Sequence, residues 1–153
     1  MDTVSVMLCC MVCRRHTRRA NLLKAQFDLI DTVYPGTVYV CVLDGRGEMI
    51  AQQTSPDSTV AGLLRPEELA GVITTLRRSV AAFAGTLQHT DTQVVHIKGE
   101  RHLFSSYGLP DNHVLAFYSI MPSEDIASWD CADADAKLDP ICRELQRLLA
   151  AGS

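Results

Sequence analysis

The sequence is poor in aromatic residues, which make up 6% of it, and it holds a single tryptophan. No apolar run reaches the ~18–20 residues that a membrane-crossing helix needs. The nearest approach, Val4–Cys13, is short, and much of it is Cys9, Cys10 and Cys13. Neither common phosphate-loop pattern, G-x-x-x-x-G-K-[ST] or G-x-G-x-x-G, occurs in the chain. The six cysteines lack the spaced pairing of a secreted disulfide framework: three crowd the N-terminus, and Cys41, Cys131 and Cys142 are scattered. In MDTVSVMLCCMVCRR the positive charge follows the apolar stretch, the reverse of a secretory signal. These absences argue against a membrane-spanning helix, a nucleotide loop and a disulfide miniprotein, and the expected compartment is the reducing cytoplasm.

What is present suits a globular fold. Of 153 residues, 47% are hydrophobic and 21% charged, and a chain of this length buries about two-thirds of its unfolded surface without metal or disulfide staples. The net charge of −4 conceals an asymmetry. Arg14, Arg15, Arg18, Arg19 and Lys24 against Asp2 give residues 1–24 a charge of +4, leaving −8 on the rest. An acidic body argues against general nucleic-acid binding, which needs cations to displace phosphate counterions. We expect a flexible Cys/Arg-rich arm over residues 1–17 and one domain over 18–150.

Periodicity then orders the elements. Leu23, Phe27, Ile30 and Tyr34 recur at helical spacing and Pro35-Gly36 stops them. TVYVCVL (Thr37–Leu43) is β-branched and almost continuously apolar, as an interior strand is. Asp44-Gly45-Arg46-Gly47 turns it into a shorter strand, Glu48–Gln52, with a polar loop after it. A long helix starts at Arg65-Pro66, where Pro66 suits the first position and Glu67 and Glu68 the positive dipole end. Leu69, Val72, Ile73, Leu76, Val80, Phe83, Ala84 and Leu87 mark its apolar side, with Arg77 and Arg78 off that stripe. Three strands follow, Thr92–Lys98, Arg101–Tyr107 and His113–Ile120, then an acidic linker over Met121–Asp135. A last helix carries Leu138, Ile141, Cys142, Leu145, Leu148 and Leu149, with Asp139-Pro140 as its expected start. The predicted class is α+β, an α/β sandwich. Its five-stranded antiparallel sheet has the long helix on one face and the terminal helices on the other.

Chemistry-bearing clusters are weak by comparison. Cys10-x-x-Cys13-x-x-His16, with Cys9 beside it, offers three zinc-type ligands but no second knuckle, so a zinc- or thiol-dependent role stands as an alternative only. Cys9, Cys10 and Cys13 next to the arginines also combine acylation sites with a polybasic patch, the two signals of peripheral membrane anchoring. His96 and His102 lie in one hairpin and are expected as a pair near Gly99-Glu100, with His96 on a polar face. Ser105, Ser106 and Asp111 with His113 lack a nucleophile elbow. Glu124, Asp125, Asp130, Asp133, Asp135 and Asp139 lack the spacing of a calcium loop. No enzyme, cofactor or metal is expected. What remains is surface: a strand edge at Thr92–Lys98 and a helix apolar over more length than one small sheet face needs.

The hairpin VYVCVLDGRGEMIAQ, the long helix after it and VVHIKGERHLFSSYGLPDNHVLAFYSIMPSE together resemble the Roadblock/dynein light chain family over about Leu22 to Leu149. LRPEEL and LDPICRELQRLL are similar to stretches of its Ragulator branch, the mitogen-activated-protein-kinase scaffold, and dynein light chains lack that last helix. The resemblance implies a five-stranded Roadblock/profilin-like fold and no catalysis. It also implies a homo- or heterodimer with another Roadblock-type chain, built from the long helix and the third strand. By the same resemblance Leu69, Ile73, Leu76, Val80, Phe83, Val94, Val95, His96, Ile97 and Lys98 line the partner interface, and some of them also pack on the chain's own sheet. Small GTPases or a kinase are the implied clients, at a late endosomal or lysosomal surface. A dynein-associated light chain is the alternative within the family.

Overall fold

The computed structural model describes residues 3–55, 65–87 and 93–151, with side chains from His16 onward. Helix α1 runs over Thr3–Val33 and breaks where Gly36 takes a left-handed φ of 81°. Strand β1 (Thr37–Leu43) leads through Asp44–Gly47 into β2 (Met49–Thr54). The turn closes because Asp44 Oδ1 accepts from the N–H of Arg46 at 2.8 Å and of Glu48 at 2.9 Å. Gly47, at φ 84°, completes it.

Helix α2 covers Pro66–Thr86, with Arg65 as the residue before it and Pro66 in its first turn. Three strands follow: β3 (Val94–Lys98), β4 (His102–Gly108) and β5 (Val114–Ile120). The last two elements are the short α3 (Ser123–Ser128) and α4 (Cys131–Ala150). The sheet order is β2-β1-β5-β4-β3, every pairing is antiparallel, and β3 is an edge.

Both faces of this sheet are covered, which accounts for the unbroken apolarity of β1. Val40 and Val42 enter the larger core with Leu23, Phe27, Ile30 and Tyr34 of α1 and with Leu138, Ile141, Leu145 and Leu148 of α4. Tyr39, Cys41 and Leu43 point the other way, to Ala70 and Ile73 of α2. β5, paired on both sides, divides likewise: Leu115 and Phe117 face α1 and α4, while Ala116 faces α2.

Four sequence expectations change. The helix expected from Arg18 runs back to Thr3, through the segment expected to be a flexible arm. The acidic linker over Met121–Asp135 is mostly helical, because Asp130 caps α4 by accepting from Ala132 N–H at 3.0 Å and Asp133 N–H at 3.2 Å. Asp139-Pro140 is therefore not a helix start: Pro140 sits exposed inside α4, while the buried row Ala134, Leu138, Ile141 and Leu145 runs past it. The third strand begins at Val94, and residues 88–92 lie outside the described set.

Candidate partner interface

The sheet-facing side of α2 is narrower than its apolar sequence. Ile73 is 2% exposed and Ala70 5%, with Leu69 packed against the same cluster. One turn on, Arg77 continues this side, and its Nη1 donates to Ser106 Oγ of β4 at 2.7 Å. Burial alone lowers the pKa of that guanidinium. The helix is thus pinned to the sheet by aliphatic contacts at Leu69, Ala70 and Ile73 and by the polar contact of Arg77.

A second row of α2 has little over it among the described residues. Val72 is 63% exposed, Phe83 67% and Leu87 57%, and half-buried Leu76 and Val80 lie on the same flank. At 100° per residue these positions fall on one side of the helix. Across the sheet edge, Val95 and Ile97 of β3 point to the α2 side, since Val95 stands opposite Ser106; Ile97 is 45% exposed. Among the described residues β3 pairs only with β4, so there one row of its N–H and C=O groups has no strand partner.

The expected interface residues therefore divide. Leu76, Val80, Phe83 and Ile97 lie on the open surface, whereas Leu69, Ile73 and Val95 pack largely inside. Val94 packs against the α1/α4 core, and Lys98 donates from Nζ to the Trp129 carbonyl at 3.0 Å, on that same side. Val72 and Leu87 were readable as stripe residues but not as open ones, because only the tilt of α2 decides which edge of the stripe meets the sheet.

His96 is not on a solvated polar face. It is half-buried under α4, with Nδ1 2.8 Å from Ser105 Oγ and Nε2 3.0 Å from Asp135 Oδ1. Tyr107 donates to the same carboxylate oxygen at 2.5 Å, and the Tyr34 and Tyr107 hydroxyls lie 2.7 Å apart. Desolvation raises the Tyr34 pKa to about 12 and raises that of Tyr107 further, where the neighbouring Asp135 carboxylate adds to it. His102 does not pair with His96: it stands opposite Ile120 and stacks on Tyr118, with ring centres 5.5 Å apart. Nothing in the sequence signals this network, since its members come from β3, β4, α4 and the turn after α1.

The network has serine, histidine and aspartate in contact, but Ser105 is 0% exposed and no substrate reaches it. The Ser105, Ser106, Asp111 and His113 grouping is not assembled, for His113 Nδ1 contacts the Pro110 carbonyl and Asp111 lies exposed in the β4–β5 turn. Among the described residues no group of three or more His, Cys, Asp or Glu side chains is placed to hold a metal, and no helix is long and apolar enough to cross a membrane. The side chains of Cys9, Cys10 and Cys13 lie outside the described residues; His16 is exposed.

No protein-family model matches the sequence. No curated protein matches it either. Solved structures do. A gliding protein MglB from Thermus thermophilus superposes with a TM-score of 0.67 at 13% identity, over 85% of this chain and 90% of that one. An MglB with a tetrameric arrangement gives 0.65 at 14% identity, over 88% and 89%. A Roadblock/LC7 domain from Streptomyces avermitilis gives 0.56 at 16% identity, over 80% and 93%. The chain has the Roadblock/LC7 fold.

Proposed function

We propose that this chain is a non-catalytic adaptor that dimerises through α2 and β3, with a second copy or another Roadblock-type chain, and supports small-GTPase or kinase signalling complexes. The observation that carries the reading is the row of exposed Val72, Phe83 and Leu87 with half-buried Leu76, beside a strand edge that is unpaired among the described residues. An exposed apolar row this long marks a contact surface on an otherwise acidic protein. Pairing two β3 edges across a two-fold axis would satisfy their backbone groups and close the apolar rows on each other. The tetrameric arrangement of a solved MglB supports assembly as a use of this fold.

The finer assignment, a Ragulator-like platform for TOR signalling on an endosomal or lysosomal surface, rests on LRPEEL and LDPICRELQRLL. The latter lies in α4, which argues against the dynein light chain reading. Peripheral membrane contact would come from the +4 charge of residues 1–24 with acylation of Cys9, Cys10 or Cys13. Affinity purification with mass spectrometry tests the adaptor role. The tagged chain should enrich a Roadblock-type protein or a small GTPase, and Phe83→Asp should lose it. Enrichment of neither overturns the reading.

A further inference from the structure

β3 is the shortest of the five described strands and, among the described residues, pairs on one side only. Its side chains alternate between two supports. Val95 and Ile97 turn toward α2, opposite Ser106 and Phe104 of β4. Val94, His96 and Lys98 turn the other way, and the helical layer holds each of them. Val94 packs against the α1/α4 core, His96 Nε2 lies 3.0 Å from Asp135 Oδ1, and Lys98 Nζ donates to the Trp129 carbonyl at 3.0 Å. Two polar links thus run from the edge strand to the corner between α3 and α4.

The far ends of both links are rigid. Trp129 packs against the larger core, with its ring centre 5.1 Å from that of Tyr34. Asp135 lies in the second turn of α4, a helix capped by Asp130 and anchored by the fully buried Leu138 and Leu145. The protons fit one arrangement. Tyr107 donates to Asp135 Oδ1, because burial keeps its phenol protonated. His96 Nε2 faces the same carboxylate oxygen and therefore carries a proton. In the neutral imidazole Nδ1 then accepts from Ser105 Oγ at 2.8 Å, so both ring nitrogens are engaged.

We propose that Asp135, acting through His96, is a positioning residue for partner pairing: together with the Lys98–Trp129 link it clamps β3 in the extended form that its edge must hold to add a strand. This inference rests on the dimer reading and deepens it. Fixing a short strand that has one neighbour costs backbone entropy, and the clamp offsets that cost within the chain before a partner arrives. Asp135 need not touch the partner to act in this way. It also gives His96 a part in the interface through its backbone, with its side chain turned to α4.

The test compares the wild type with Asp135→Ala and Asp135→Asn by two measurements on the full chain. The first is the dimer Kd from sedimentation equilibrium, under conditions where circular dichroism shows each variant folded. Asp135→Ala should raise it roughly tenfold or more. Asp135→Asn, whose amide oxygen still accepts from Tyr107 and His96, should recover much of that loss. A residue that only stabilises the fold would lower the urea midpoint and leave Kd unchanged. The second is ¹⁵N relaxation dispersion on the Phe83→Asp monomer, where adding Asp135→Ala should broaden the Val94–Lys98 amides and spare β1 and β5. If Asp135→Ala does not fold, Lys98→Met, which cuts the exposed link, carries both measurements with the same expected directions. An unchanged Kd in the folded variant overturns the proposal, as do β3 amides that stay sharp and broadening spread over the whole sheet. A wild type that stays monomeric overturns the dimer reading instead, and the β3 amides then decide the clamp alone.

Discussion

At the scale of residues, the decisive group is Asp135. One of its oxygens accepts from the Tyr107 hydroxyl at 2.5 Å and contacts His96 Nε2 at 3.0 Å, so a single carboxylate ties α4 to the edge strand and its neighbour. Asp135→Ala strands a buried phenol and an imidazole nitrogen. With 36% of the Asp135 side chain exposed and water able to substitute in part, the cost should be ~1–2 kcal/mol, read from the urea midpoint. Tyr34→Phe should cost less, because Tyr107 keeps its bond to Asp135. Buried acids set the alkaline limit. Burial pushes Cys41 and Cys142 up to about 12 from 9.0, and Tyr34 to about 12 from 10.0. Each binds its proton more tightly folded than unfolded, so its contribution is complete below the unfolded pKa and drains away as pH rises toward the folded one. The denaturation midpoint should hold below pH 9 and fall between 9 and 12. A level midpoint through that window contradicts the assignment of these groups as buried.

At the scale of elements, glycines at two positions should respond with opposite signs. Gly36 has φ 81°, and a Cβ there would run into the Ile120 carbonyl, so Gly36→Ala should destabilise by more than ~1 kcal/mol. Gly71 lies exposed in α2 with nothing within 4 Å of an added Cβ, so Gly71→Ala should stabilise by roughly 0.5–1 kcal/mol. Thermal unfolding of both variants checks the pair. Elements of this kind were legible in advance where local rules agree: Pro66 with Glu67 and Glu68 opened α2, and Asp44–Gly47 fixed the first hairpin. Pro140 misled because a mid-helix proline reads locally as a boundary, whereas α4 gains more from burying Leu138, Ile141 and Leu145 in one row than it loses at one exposed turn. The candidate interface was legible only as composition. Ile73 and Val72 are adjacent and both apolar, yet one is 2% and the other 63% exposed, and only the docking of α2 through Arg77 and Ser106 separates them. The contacts of His96 were not legible at all, for Ser105 and Asp135 reach it from β4 and α4.

At the scale of the whole molecule, both sheet faces are covered, and among the described residues the most exposed large apolar side chains, Val72, Phe83 and Leu87, lie on α2. The apolar row and the strand edge lie together at one side. The row between Val72 and Leu87 carries no charged side chain, so nothing in it opposes pairing with its own copy. Light scattering coupled to size exclusion, run on the wild type and on Phe83→Asp, tests this directly. The account predicts a wild-type species of at least twice the 16.8 kDa chain mass and a folded Phe83→Asp monomer. A wild type that stays at 16.8 kDa at micromolar concentration, or an assembly that Phe83→Asp leaves intact, would contradict it.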